Sequence, residues 1–61
     1  MAFPKFEIKK SSNGKFYFNL RSKSNGEIIA TSEMYNSKQS CKGGIDAVKR
    51  DAPIADTEDL S

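Results

Sequence analysis

Apolar and polar residues alternate with a period of two through three segments in the front half of the chain. Phe6 and Ile8 interleave with Lys5, Glu7 and Lys9, and Phe16, Phe18 and Leu20 with Tyr17, Asn19 and Arg21. The third segment sets Ile28 and Ala30 against Ile29 and Thr31. Such alternation marks half-buried strands. Between the segments stand Ser12-Asn13-Gly14 and Ser24-Asn25-Gly26. Asn-Gly is a strong hairpin signal because both residues tolerate positive φ. The pattern predicts a three-stranded antiparallel meander with the second strand in the middle.

Burial of one face selects the register. A two-residue Asn13-Gly14 turn would place Ser12 opposite Lys15 and put Phe18 on the same face as Lys9, leaving no face that can be buried. A three-residue loop, a type I turn closed by Gly14 in the left-handed region as a G1 bulge, sets Phe6 opposite Leu20 and Ile8 opposite Phe18. The same loop at Ser24-Asn25-Gly26 sets Leu20 opposite Ala30. All the large apolar residues of the strands except Tyr17 and Ile29 then share one face.

From about residue 36 the period changes. Asn36, with Gln39 three residues on, has the capping-box pattern, and Ser37 is the competing N-cap. Cys41, Gly44, Ile45, Val48 and Ala52 then form one helical stripe. Lys49 and Arg50 suit the negative end of the helix dipole, and Pro53 stops the helix, because the residue before a proline disfavours the α region. Two glycines in mid-helix cost about 1 kcal/mol each. On the buried stripe, Gly44 repays its share if the helix must lie close to an aromatic sheet. Ile54–Ser61 is either a frayed tail or one more strand. The expected core is therefore Phe6, Ile8, Phe16, Phe18, Leu20, Ile28 and Ala30 against Cys41, Gly44, Ile45 and Val48.

Sixty-one residues, 36% hydrophobic and 30% charged, make a single globular domain over 1–61, with residues 1–4 and 59–61 as flexible ends. A chain so short buries only about 60% of the surface it exposes when unfolded. It has no histidine and one cysteine, which excludes a histidine base, an imidazole metal site and an internal disulfide. No apolar stretch behind Met1-Ala2-Phe3-Pro4-Lys5 resembles a signal peptide, and none is long enough to cross a membrane. The cytoplasm is the expected compartment. The net charge of +2 is uneven: residues 1–31 are basic and residues 32–61 acidic.

Few residues suggest chemistry. Cys41 lies near Lys38 and Lys42 early in the helix, a setting that can lower a thiol pKa, but its place on the apolar stripe favours a packing role. Asp56, Glu58 and Asp59 lack the spacing of a calcium loop, and Gly43-Gly44 precedes no Lys-Ser or Lys-Thr, so neither a metal nor a phosphate-bound cofactor is expected. The open face of the sheet carries Lys5, Glu7, Lys9, Tyr17, Asn19, Arg21, Ile29 and Thr31, of which Lys5, Lys9, Tyr17, Asn19 and Arg21 are the candidate binding residues. Basic side chains around an aromatic are what single-stranded nucleic acids meet on sheet surfaces. Tyr35 stands in the loop before the helix, either as part of a binding loop or as a cap on the core.

The order Phe6-Glu7-Ile8, Asn13-Gly14-x-x-Tyr17-x-x-Leu20, Asn25-Gly26-Glu27-Ile28-Ile29, Ser32-Glu33-x-Tyr35 and Ser37-Lys38 resembles the YegP-like family of small uncharacterised bacterial proteins. The resemblance continues through Gly44-Ile45-x-x-Val48-Lys49 and Ala52-Pro53; Met34 and Cys41 fall where the family pattern is loose. It implies an α+β fold built as a βββ-α-β unit, and pairing of single-unit chains into a homodimer with exchanged C-terminal strands. It implies no activity. The expectation is a non-enzymatic interaction or binding module without a cofactor. The alternatives are a nucleic-acid-binding module using the basic sheet face and a thiol-dependent activity at Cys41.

Overall fold

The computed structural model describes residues 4–61; of the expected flexible ends, residues 1–3 lie outside the described residues. Strands β1 (Lys5–Lys10), β2 (Phe16–Arg21) and β3 (Ile28–Thr31) form one antiparallel sheet in the order β1-β2-β3, followed by helix α1 (Lys38–Asp51). The fold is α+β, as the pattern predicts.

The first hairpin has the expected register, with Phe6 opposite Leu20 and Ile8 opposite Phe18. The Ser11 N–H donates to the Lys15 carbonyl at 2.8 Å and the Gly14 N–H to the Ser11 carbonyl at 3.0 Å. Gly14 takes φ +83°, a conformation costly to any residue with a Cβ. The Asn13 side chain accepts from the Lys15 N–H at 3.1 Å and from the Ser11 hydroxyl, which fixes the turn.

The second hairpin departs from expectation. Leu20 does oppose Ala30, but Arg21 opposes Ile28, so Ile29 is an extra, bulged residue. Here the Ser22 N–H donates to the Glu27 carbonyl at 2.8 Å and the Gly26 N–H to the Ser22 carbonyl at 3.1 Å. The connection is thus the four residues 23–26, and the bulge absorbs the additional one. All of β3 is exposed, Ile28 at 48% and Ile29 at 64%. The expectation that Ile28 and Ala30 belong to the core is corrected accordingly: α1 packs on β1 and β2 and does not reach β3.

Ser37 is the N-cap, its hydroxyl accepting from the Ser40 N–H at 3.0 Å. Asn36 is otherwise engaged, accepting from the Lys15 ammonium at 3.1 Å. The α-helix ends at Asp51, and Pro53 sits in a 3-10 turn, Ala52–Ile54. Beyond it residues 55–61 form no strand within the single chain, and Ile54 and Leu60 are 81% and 84% exposed. The last β of the expected βββ-α-β order is therefore not built by one chain on its own sheet.

Among the described residues, the buried apolar side chains are Phe18, Cys41 and Ile45, Cys41 completely so, with Phe6, Ile8, Phe16, Tyr35 and Val48 packed around them. Phe18 meets Phe6 edge-on at 5.7 Å and stacks on Tyr35 at 6.3 Å. Tyr35 is held by two backbone bonds to Phe16, of 2.8 and 2.6 Å. Tyr35 thus caps the core, half-buried against Phe18.

Candidate functional site

The register sets Lys5 beside Arg21, Glu7 beside Asn19 and Lys9 beside Tyr17. Period two puts these on the sheet face away from α1. Five of the six expected surface residues, Lys5, Lys9, Tyr17, Asn19 and Arg21, are thus brought together, while Tyr35 lies on the opposite face against Phe18.

The face is organised around Glu7, which the sequence places on this face but does not single out as a binding residue. Arg21 Nε donates to the Glu7 carboxylate at 2.6 Å, and the Lys5 ammonium lies 3.3 Å from it. Arg21 also donates to the Gly26 carbonyl at 2.7 Å, tying the second turn to the sheet. Asn19 is buried and accepts from the Thr31 hydroxyl at 2.7 Å. These contacts are internal. Two of the basic groups offered to a polyanion already share a carboxylate, and the buried Asn19 is not presented to a ligand. Glu7's role was legible in principle, because Arg21 is its diagonal neighbour once Phe6 is set opposite Leu20.

The Arg21 hydrogen bond, helped by Lys5 and opposed by desolvation, holds the Glu7 carboxyl below its ordinary value. A carboxylate harder to protonate when folded adds stability above the unfolded pKa, and loses it as pH falls through the lowered folded value. The stability gap between the wild-type chain and Glu7→Gln is therefore expected to be widest near neutral pH and to close on acidification. Urea midpoints measured across that range check it; a gap that widens in acid contradicts the pairing.

Cys41 is fully buried, and burial pushes its thiol pKa up. The nearby lysines do not offset this, so the environment is that of a packing cysteine rather than a nucleophile. Alkylation of the native chain by iodoacetamide is expected to be slow and to become rapid in denaturant. Equal rates in both conditions would restore the thiol as a chemical group. Among the described residues no three His, Cys, Asp or Glu side chains gather as metal ligands, and no helix is long and apolar enough to cross a membrane.

The other concave feature lies on the helix side of the sheet. The helix covers Phe18 and leaves a groove of about 480 Å³ lined by Pro4, Phe6, Ile8, Leu20 and Ile45, together with Lys5 and Lys49. The Lys49 ammonium stands 5.8 Å from the centre of the Phe6 ring. Period-two reading finds its wall but not its opening, which depends on how far the helix reaches.

Residues 11–59 match a domain of unknown function, DUF1508. The chain belongs to this family. It is 53% identical over 53 residues to the UPF0339 protein YegP of Yersinia pestis, covering 87% of this chain but only 46% of that protein. The chain spans about half the length of such relatives. A UPF0339 protein of Treponema denticola is 49% identical over 51 residues, covering 84% of this chain and 86% of the relative. The solution structure of a protein from Haloferax volcanii, at 39% identity, superposes with a TM-score of 0.84 over 98% of this chain and all of that one. The sequence-based resemblance to the YegP-like family is confirmed by these matches. Members of the DUF1508 family carry no assigned activity in these names, so what the fold does is argued from its surfaces.

Proposed function

We propose that the protein is a small non-enzymatic interaction module that works as a homodimer, joined through the segment that follows Pro53. One observation carries the reading: the unit buries few apolar side chains while leaving Ile28, Ile29, Ile54 and Leu60 open to water. A single helix on a three-stranded sheet is near the lower limit of independent stability. The sheet also has two edges with unpaired backbone groups, and an exposed apolar edge invites pairing. The edge assigned to the second copy is β3, exposed at all four positions. Ala55 already has extended backbone angles, φ −77° and ψ 131°, and exchange of a terminal element is a low-cost route to a symmetric dimer. The buried, unpaired thiol in so small a domain supports a reducing compartment such as the cytoplasm.

Sedimentation equilibrium on the full chain and on a chain ending at Ala52 tests this. The full chain is expected to be a dimer at micromolar concentration and the shortened one a weaker dimer or a monomer. A monomeric full chain overturns the homodimer. An equally stable dimer of the shortened chain overturns only the role of the C-terminal segment.

A further inference from the structure

The groove between β1 and α1 is chemically one-sided: Pro4, Phe6, Ile8, Leu20 and Ile45 line it together with Lys5 and Lys49, and no carboxylate-bearing residue is among its described lining. Its volume of about 480 Å³ falls within the range of small-molecule pockets, about 300–1,000 Å³. The Lys5 ammonium is turned to Glu7 on the opposite face, so the anchoring cation is Lys49, which makes no ion pair with any described residue and stands over the Phe6 ring. An apolar trough with a cation at its opening distinguishes ligands by charge as well as by size. A neutral alkyl chain gains only the wall. An alkyl ammonium meets repulsion at the mouth. An alkyl carboxylate gains both the wall and the lysine.

We propose that this groove binds small amphipathic carboxylates, the alkyl body lying on Phe6, Ile8, Leu20 and Ile45 and the carboxylate at the Lys49 ammonium. The site lies on the β1 side of the sheet, away from the β3 edge assigned to the second copy.

The test is an NMR titration of the full chain with sodium decanoate, kept below its micelle concentration, with decyltrimethylammonium as the probe of opposite charge. Decanoate is expected to produce saturable shifts at Phe6, Ile8, Leu20 and Ile45, and the ammonium probe weaker ones. Lys49 is exposed, so Lys49→Glu is expected to keep the fold, checked by circular dichroism. The substitution should weaken decanoate about fivefold, the effect of one exposed charge pair, and favour the ammonium probe. Absence of saturable shifts, or equal binding of both probes, overturns the proposal. So do groove signals that move when the ligand-free protein is diluted through its association range, since a second copy of the chain then fills the groove.

Discussion

Replacing Phe18 by alanine is expected to remove about 3–5 kcal/mol of stability, against the 5–15 kcal/mol or so that whole domains possess. Phe18 is 5% exposed on the central strand, opposite Ile8, edge-on to Phe6 and stacked on Tyr35. Its removal leaves a cavity between two rings that are held by their own strand and loop, so the site collapses poorly. In so small a chain the variant is expected to be largely unfolded at room temperature, read by urea denaturation and circular dichroism. A melting midpoint lowered by less than about 5 °C, the equivalent of roughly 1 kcal/mol in a domain of this size, would show that the core is not centred on this ring.

Adjacent glycines are expected to respond with opposite signs. A Cβ at Gly44 would fall against the Tyr35 hydroxyl, 2.7 Å from the ring carbon that bears it and 3.2 Å from Phe18 Cε2. The Tyr35 backbone is pinned to Phe16 and its ring is stacked on Phe18, so the ring retreats only by giving up that stacking. Gly44→Val is therefore expected to cost about 1–3 kcal/mol by overpacking, more than the helix propensity it gains. At Gly43 nothing lies within 4 Å of an added Cβ, so Gly43→Ala is expected to stabilise the helix by about 0.5–1 kcal/mol. Thermal melts of the two variants at one protein concentration decide it. Stabilisation by Gly44→Val would mean that the helix does not need its close approach to the sheet.

The contrast between these glycines shows what a single sequence makes legible. Position on the apolar stripe identified Gly44 as the residue with a packing reason, and the aromatic that supplies it is Tyr35. Tyr35 itself was ambiguous, because its bonds to Phe16 join residues far apart in the chain and follow from no local period. The first hairpin was legible because only one loop length leaves a face that can be buried. The second was not, because a bulge at Ile29 lets a four-residue turn coexist with the same Leu20–Ala30 pair. The exposure of β3 was hidden for a related reason: alternation says that a strand has an apolar face, not that the helix is wide enough to cover it. On the polar face the grouping of Lys5, Lys9, Tyr17, Asn19 and Arg21 followed from register alone. The same register makes Arg21 the diagonal neighbour of Glu7, whereas the sharing of that carboxylate with Lys5 required side-chain geometry.

In the proposed dimer the incomplete core of the single chain is finished by a second copy. The most direct test of this pairing is the dependence of the melting midpoint on protein concentration, over about a hundredfold range. Pairing coupled to folding predicts a midpoint that rises steadily with concentration, and a rise that shrinks in the chain ending at Ala52. A midpoint independent of concentration in the full chain would contradict it.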